Sequence, residues 1–277
     1  MDARLVWNTW RRILTDDALV DAVLHPRDHN STALGLAADE RAILLDYAST
    51  PAASDIAIGA YRRGLVRNAL TALKLVSLTY RLLYAGERDV LAVAADFVRS
   101  IDYRDHGPNF WRIAAGFVAY LATLPAFARP LQQDVLALET AAIALVRRLG
   151  KAPLALWPES VAFDPIAARD CYVASRAAVV VSSNYQLTPW LEDPLNFAVD
   201  EELEPSQQHW LIYVCAAEAA HAYAELSERA ARTFALLSAP KTAAELSPAL
   251  DGLPVNEVLV VIGSLAEIGA VVRSEKA

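Results

Sequence analysis

Residues 177–190, AAVVVSSNYQLTPW, form the clearest β-type run in a chain that otherwise reads almost wholly as helix. Val179, Val180 and Val181 set three β-branched side chains in a row. Ser182, Ser183 and Asn184 end the run, and Pro189 forbids a long helix behind it. A short strand among helices leaves its N–H and C=O groups unpaired unless a partner strand is found. Residues 209–215, HWLIYVC, are the second β candidate and the expected partner of 177–183. Between them runs LEDPLNFAVDEELEPSQQ, which is either a solvated acidic insert or an electrostatic lip for a basic peptide.

The rest of the chain carries helical periodicity. Its composition is 55% hydrophobic with only 10 Gly among 277 residues, which favours a helical globular protein over a sandwich or a disordered chain. Residues 3–24 read as one or two helices, with Thr15 as a cap ahead of Asp16 and Asp17. Residues 38–48 read as a short helix, and Ser54 or Asp55 caps a long one extending to about residue 83. In that long helix Leu65, Ala69, Leu73, Val76, Tyr80 and Leu83 make an apolar stripe. Arg63, Arg67, Lys74 and Arg81 share a largely opposite face, which is either a solvated face or a docking strip for an acidic partner. Gly86 ends this helix. Further helices are expected over 87–100, 110–124 and 131–149, the last with Val135, Leu138, Ala142, Leu145 and Leu149 buried. Glu139 lies at the margin of that stripe and reads as a rim carboxylate paired to an arginine, with a functional acid as the alternative. Residues 150–170 hold three prolines, read as irregular with a short strand, and mark a domain boundary. The expected fold is mainly α with a small β component, α+β, with an N-terminal helical domain over 1–150 and a C-terminal domain over 151–277.

Residues 218–237 read as a helix with His221, Tyr223 and Arg229 near its polar side. Thr242 followed by Glu245 is a capping box, Asp251-Gly252 a turn, and Pro254 opens a helix with Val258, Val261, Ile262 and Leu265 inward. Gly269 breaks it ahead of a strand at 270–273. This is the outline of a winged helix-turn-helix. Its recognition surface, Asn256, Glu257, Ser264 and Glu267, has two acids and no Arg or Lys, so it suits a protein better than a major groove. The net charge of −8 points the same way.

The chain carries few chemical motifs. There is no GxSxG, P-loop, GxGxxG after a strand, CxxC or HExxH. His25 and His29 have i,i+4 spacing, but Pro26 lies between them and no Glu follows the first. Asp105-His106 sits in a loop without a neighbouring nucleophile. Cys171 and Cys215 read as buried thiols in a reduced compartment, with a disulfide between them as the alternative. The N-terminus lacks a signal pattern, and the most apolar span, 114–128, is too short for a bilayer and contains Pro125. The expectation is a cytoplasmic chain with no metal, cofactor, nucleic acid or membrane of its own.

Several features stand in one order. They are Tyr61-Arg62 with Asn68, then Phe97-Val98-Arg99, then Asp134 with Leu138-Glu139. Ser183-Asn184-Tyr185-Gln186-Leu187 before Pro189-Trp190 comes next, and Trp210-Leu211-Ile212-Tyr213 last. In this order, across residues 55–250, the chain resembles the partner proteins of multinuclear non-haem iron oxidative enzymes that modify ribosomally made peptides. Its length and tail are most similar to the partner subunit of 3-thiaglutamate peptide biosynthesis. It departs from many relatives where Val214-Cys215 follow Tyr213, a place where an arginine is expected. The resemblance implies a heterodimer in which the other protein holds the iron and oxidises a cysteine of the precursor peptide. This chain is then an accessory subunit that captures the peptide's leader as an added strand. On that view the leader meets Val179, Val180, Val181, Ser182, Ser183, Tyr185, Trp190, Trp210 and Ile212, while Arg63, Arg67, Lys74 and Arg81 dock the iron enzyme. The alternative is a winged-helix transcription regulator, and a third reading is a stand-alone helical metalloenzyme.

Overall fold

The structure is a computed structural model describing residues 2–26, 34–100, 103, 104, 106, 107, 109–150, 166–188, 192, 205–215 and 220–274. The chain is α+β, helical in its N-terminal region, with small antiparallel sheets and further helices towards the C-terminus. It forms two compact units, Met1–Ser77 with Arg88–Tyr120, and Leu78–Glu87 with Leu121–Ala277. Residues 151–165, which hold most of the expected boundary, lie outside the described residues.

The first unit carries α1 (Ala3–Thr15), α2 (Asp17–Leu24), α3 (Ala38–Ala48), α4 (Asp55–Leu73), α6 (Val90–Arg99) and most of α7 (Phe110–Thr123). Between α1 and α2 the cap is Asp16, whose side chain accepts from the Ala18 and Leu19 N–H groups. Thr15 instead bonds back to the Arg11 carbonyl at 3.0 Å. Ile13, Leu14, Leu19, Leu44, Tyr47 and Ile58 form one core, edged by Trp10 against Tyr47 and Tyr61. Arg62 ties α4 to that core, donating Nε to the Leu14 carbonyl and Nη1 to Asp17, both at 2.6 Å. Phe97 on α6 stacks on Phe117 of α7 at 4.8 Å.

The expected long helix is two helices. α4 stops at Leu73, the N–H groups of Leu75 and Val76 turn back to the Ala72 and Leu73 carbonyls, and α5 runs Ser77–Ala85. No Gly or Pro announces this break, because it is made by tighter i→i+3 bonds rather than by a breaker residue. The break shifts the helical phase. Leu78, Thr79, Leu82 and Leu83 are buried on α5, and Tyr80, expected on the apolar stripe, is exposed.

The second unit is built on a three-stranded antiparallel sheet in the order β2 (Ala178–Ser183), β3 (Gln208–Cys215), β4 (Ala220–Leu226). The β2–β3 pairing is the one expected, with Val180 opposite Leu211. β4 overturns an expectation, since 218–237 is not one helix. AHAYAEL is a strand, and only α9 (Glu228–Leu236), capped by Ser227, is helical. Its alanines favour helix, but seven residues of register against β3 supply ladder bonds that outweigh this weak preference.

Register and the twofold side-chain period sort the sheet's faces. Ala178 and Val180, with Leu211, Tyr213, Ala224 and Leu226, face a core shared with Phe234, Leu237, Leu246, Val258, Ile262 and Leu265. That core is the C-terminal region, made of α9, α10 (Ala243–Leu246) and α11 (Val255–Glu267). β5 (Val271–Ser274) follows α11 and pairs with β1 (Cys171–Ala174), which lies just beyond the stretch 150–170 where a short strand is expected. Tyr172 on β1 also bridges to Lys241, so β1 lies between the α9–α10 connection and β5. The capping box at Thr242 and Glu245 is present, and Asp251 and Gly252 both take positive φ in the turn. The opposite sheet face, with Val179, Val181, Trp210, Ile212 and Tyr223, lies against α8 (Pro130–Leu149).

Candidate functional site

The edge of β2 is set by how α8 holds the strand. Asp134, near the start of α8, accepts from the backbone N–H of Asn184 at 2.7 Å and of Tyr185 at 3.2 Å, and from the Asn184 side chain at 3.2 Å. Arg148, near the helix end, donates Nη2 to the Arg176 carbonyl at 2.7 Å and to the Ala178 carbonyl at 3.4 Å. Fourteen helical residues rise about 21 Å and six strand residues span about 20 Å, so helix and strand match in length and run antiparallel. The strand is therefore clipped at both ends by one helix.

Hydrogen-bond parity shows which backbone groups remain open. The Val214 N–H donates to the Ala177 carbonyl at 3.0 Å. In an antiparallel ladder bonded pairs alternate, so Val179, Val181 and Ser183 bond to β3. Ala178, Val180 and Ser182 turn their backbone groups to the outer edge, where no strand pairs among the described residues. Arg148 occupies the Ala178 carbonyl, leaving the N–H and C=O of Val180 and Ser182. By the same parity β4 presents the backbone of His221, Tyr223 and Glu225 on the other edge.

The expected leader-binding residues separate into two groups. Among the described residues the outward backbone groups of Val180 and Ser182 have no partner, and the Ser182 hydroxyl lies 2.8 Å from His209 Nδ1. Trp210 and Ile212 are buried, at 4% and 0% exposure, so their side chains cannot touch a peptide at the surface. Trp210 Nε1 instead donates to the Ser183 hydroxyl at 3.2 Å, and that hydroxyl donates to the Tyr185 carbonyl. Val179, Val181 and Ser183 turn towards α8. Trp190 lies outside the described residues. Asp134, Asn184, Ser183 and Trp210 thus form the joint between helix and sheet.

Arg63 and Arg67 lie exposed on α4, Lys74 is exposed as its C-cap, and Arg81 is exposed on α5 in the other unit, so the four do not share one helix face as expected. None has an ion pair among the described residues. The recognition-type surface on α11, Asn256, Glu257, Ser264 and Glu267, is exposed as expected, with Val260 at 69% exposure among it. Arg229 reaches Glu257 at 3.7 Å.

Glu139 corrects another expectation. It has no exposed surface and no arginine partner among the described residues. Its Oε2 accepts from the Thr79 N–H in the first turn of α5 at 3.1 Å, and its Oε1 accepts from the Tyr223 hydroxyl at 2.7 Å. His221 Nε2 lies 3.2 Å from that hydroxyl and 4.0 Å from Glu139 Oε1. Burial raises the Glu139 carboxyl above its ordinary 4.5, against the lowering effect of the Tyr223 and Thr79 hydrogen bonds. Burial lowers the His221 imidazole below 6.5 and raises the Tyr223 phenol, which the Glu139 charge raises further. The row joins α5, α8 and β4. With Glu139 sealed, its carboxyl has no surface to present to a substrate. Sequence spacing gave no signal for this cluster, because its members are up to 144 positions apart.

Among the described residues no group of three or more His, Cys, Asp and Glu is placed to hold a metal ion. Cys171 is a buried free thiol. His29, Asp105 and the Cys215 side chain lie outside the described residues. No single described helix is long and apolar enough to cross a membrane. The bent pair Ala243–Leu250 and Val255–Glu267 passes by composition only in combination, and its buried residues belong to the core above. No protein-family model matches the chain, and no curated protein sequence does.

Proposed function

We propose that this chain is a non-catalytic partner subunit that binds a multinuclear non-haem iron peptide-modifying enzyme and holds the leader of a ribosomally made precursor peptide. The iron and the oxidation of a peptide cysteine belong to the other subunit. The observation that carries this reading is the outer edge of β2. It offers the N–H and C=O of Val180 and Ser182, on a strand braced from beneath by α8 through Asp134 and Arg148. A braced strand with an open edge suits β-augmentation, because little ordering cost is left on the receptor side when a peptide pairs with it. The ordered set of residues that resembles such partner proteins supplies the identity of the enzyme and of the peptide.

The test is co-expression of the chain with an iron enzyme of that class and its precursor peptide, followed by co-purification and titration. A heterodimer that binds the peptide at micromolar concentration or tighter is expected. Binding to neither partner would sink the proposal. The transcription-regulator reading fares worse because the exposed face of α11 offers Glu257 and Glu267 and no cation. DNA binding that is sequence-selective and falls steeply with salt would reinstate it.

A further inference from the structure

The open stretch of β2 begins beside Arg148, whose guanidinium lies on the backbone of the exposed Arg176. Arg148 lies against the Arg176 and Ala178 carbonyls, Arg147 precedes it on the last turn of α8, and all three arginines are exposed. None of the three has a carboxylate partner among the described residues, whereas Arg62, Arg99, Arg229, Arg232 and Arg273 each do. In a chain of net charge −8 this places positive potential where a pairing segment would enter the edge. The two contacts of Arg148 differ. The bond to Arg176 is short, and the one to Ala178, at 3.4 Å, is at the limit of a useful hydrogen bond. A carboxylate offered to the same guanidinium makes shorter, charge-assisted and bidentate bonds, so it outcompetes the Ala178 carbonyl. An arginine at a strand edge also discourages pairing by neutral strands of other chains, which cannot replace the bond it already makes.

We propose that the β2 edge selects an acidic extended peptide. Its backbone pairs with Val180 and Ser182, and an Asp or Glu about two positions away, roughly 7 Å along the strand, binds Arg148 with Arg176 as the second cation. This rests on the strand-capture reading above and adds the chemistry of the captured segment.

Random dodecapeptides displayed on phage and selected on the immobilised full chain supply the probes, and recovered peptides are then measured by fluorescence polarisation. Recovered sequences are expected to carry Asp or Glu at a fixed spacing from a β-branched run. Arg148→Gln with Arg176→Gln should weaken them about 5- to 20-fold near 50 mM salt, and less near 500 mM. Arg176→Gln alone removes no hydrogen bond recorded in the fold, so it serves where the double variant loses its circular dichroism signal. Methylating alternate backbone nitrogens of the peptide should abolish binding to the unaltered chain. Peptides without acidic bias, or unchanged affinity in the arginine variants, overturn the proposal. If methylation abolishes binding while the variants do not weaken it, strand capture stands and acid selection fails. If methylation has no effect, strand capture fails and takes the inference with it. Recovery of no binding peptide overturns both.

Discussion

At the scale of single residues, the chain concentrates its buried polar chemistry at the joints around α8. Glu139 is a carboxylate in a sealed position, and its hydrogen bonds to Thr79 and Tyr223 are what make it tolerable there. Because folding raises its pKa above 4.5, the stability linked to it is present below that value and is lost as pH rises through the raised pKa. Glu139→Gln removes the charge and keeps one acceptor for Thr79, with its NH2 group turned to Tyr223. Its melting temperature relative to the unaltered chain should therefore rise as pH goes from about 4 to about 7. Glu139→Ala leaves the Thr79 N–H without its acceptor and Tyr223 with His221 alone, and should cost about 2–4 kcal/mol by denaturant titration. His221 runs the other way. Its pKa is lowered by burial, so the stability linked to it is present above 6.5 and is lost as pH falls through the lowered value. His221→Gln should flatten the fall in melting temperature between about pH 7 and pH 5.

At the scale of elements, β2 is a strand with two different sides to its backbone. Val179 spends its N–H on Ile212, and Val180 points its N–H outwards. Val179→Pro should therefore cost stability, about 2 kcal/mol or more, since a ladder bond is lost. Val180→Pro should leave the melting temperature within a few degrees, because its N–H faces the outer edge, yet reduce peptide binding at least tenfold. Equal stability losses in the two variants, read by thermal melts, would contradict the assigned parity. The β2–β3 pair was legible in the sequence because both runs are rich in β-branched and aromatic residues. β1 and β4 were not. CYVA is too short to show a period, and AHAYAEL carries the composition of a helix. The missed break between α4 and α5 has a similar cause, since nothing in LKLVS is a breaker.

At the scale of the whole molecule, the four cations expected to form one strip divide between the units, with Arg63 and Arg67 on α4, Lys74 at its C-cap and Arg81 on α5. If α4 docks an acidic partner, reversing Arg63, Arg67 and Lys74 together should weaken the complex with the iron enzyme about tenfold or more at low salt. It should leave peptide binding to the isolated chain unchanged. Affinity unaltered at low salt would exclude the strip. Arg81→Glu tested separately decides whether the second unit contributes to the same contact.

The sequence by itself determined what periodicity and local chemistry can carry. That includes the α+β class, most helix limits, the capping box at Thr242, the turn at Asp251-Gly252 and the β2–β3 pair. Tertiary structure alone decided the strand character of 220–226, the place of β1 between Lys241 and β5, and the burial of Glu139, Trp210 and Ile212. It also decided which backbone groups of β2 face outwards. The reason is physical. Helical stripes and turns are properties of neighbours in sequence, whereas a strand's edge and a carboxylate's burial depend on groups that only folding brings together. Arg148 and Asp134, holding a strand some thirty to fifty residues away, are the clearest instance.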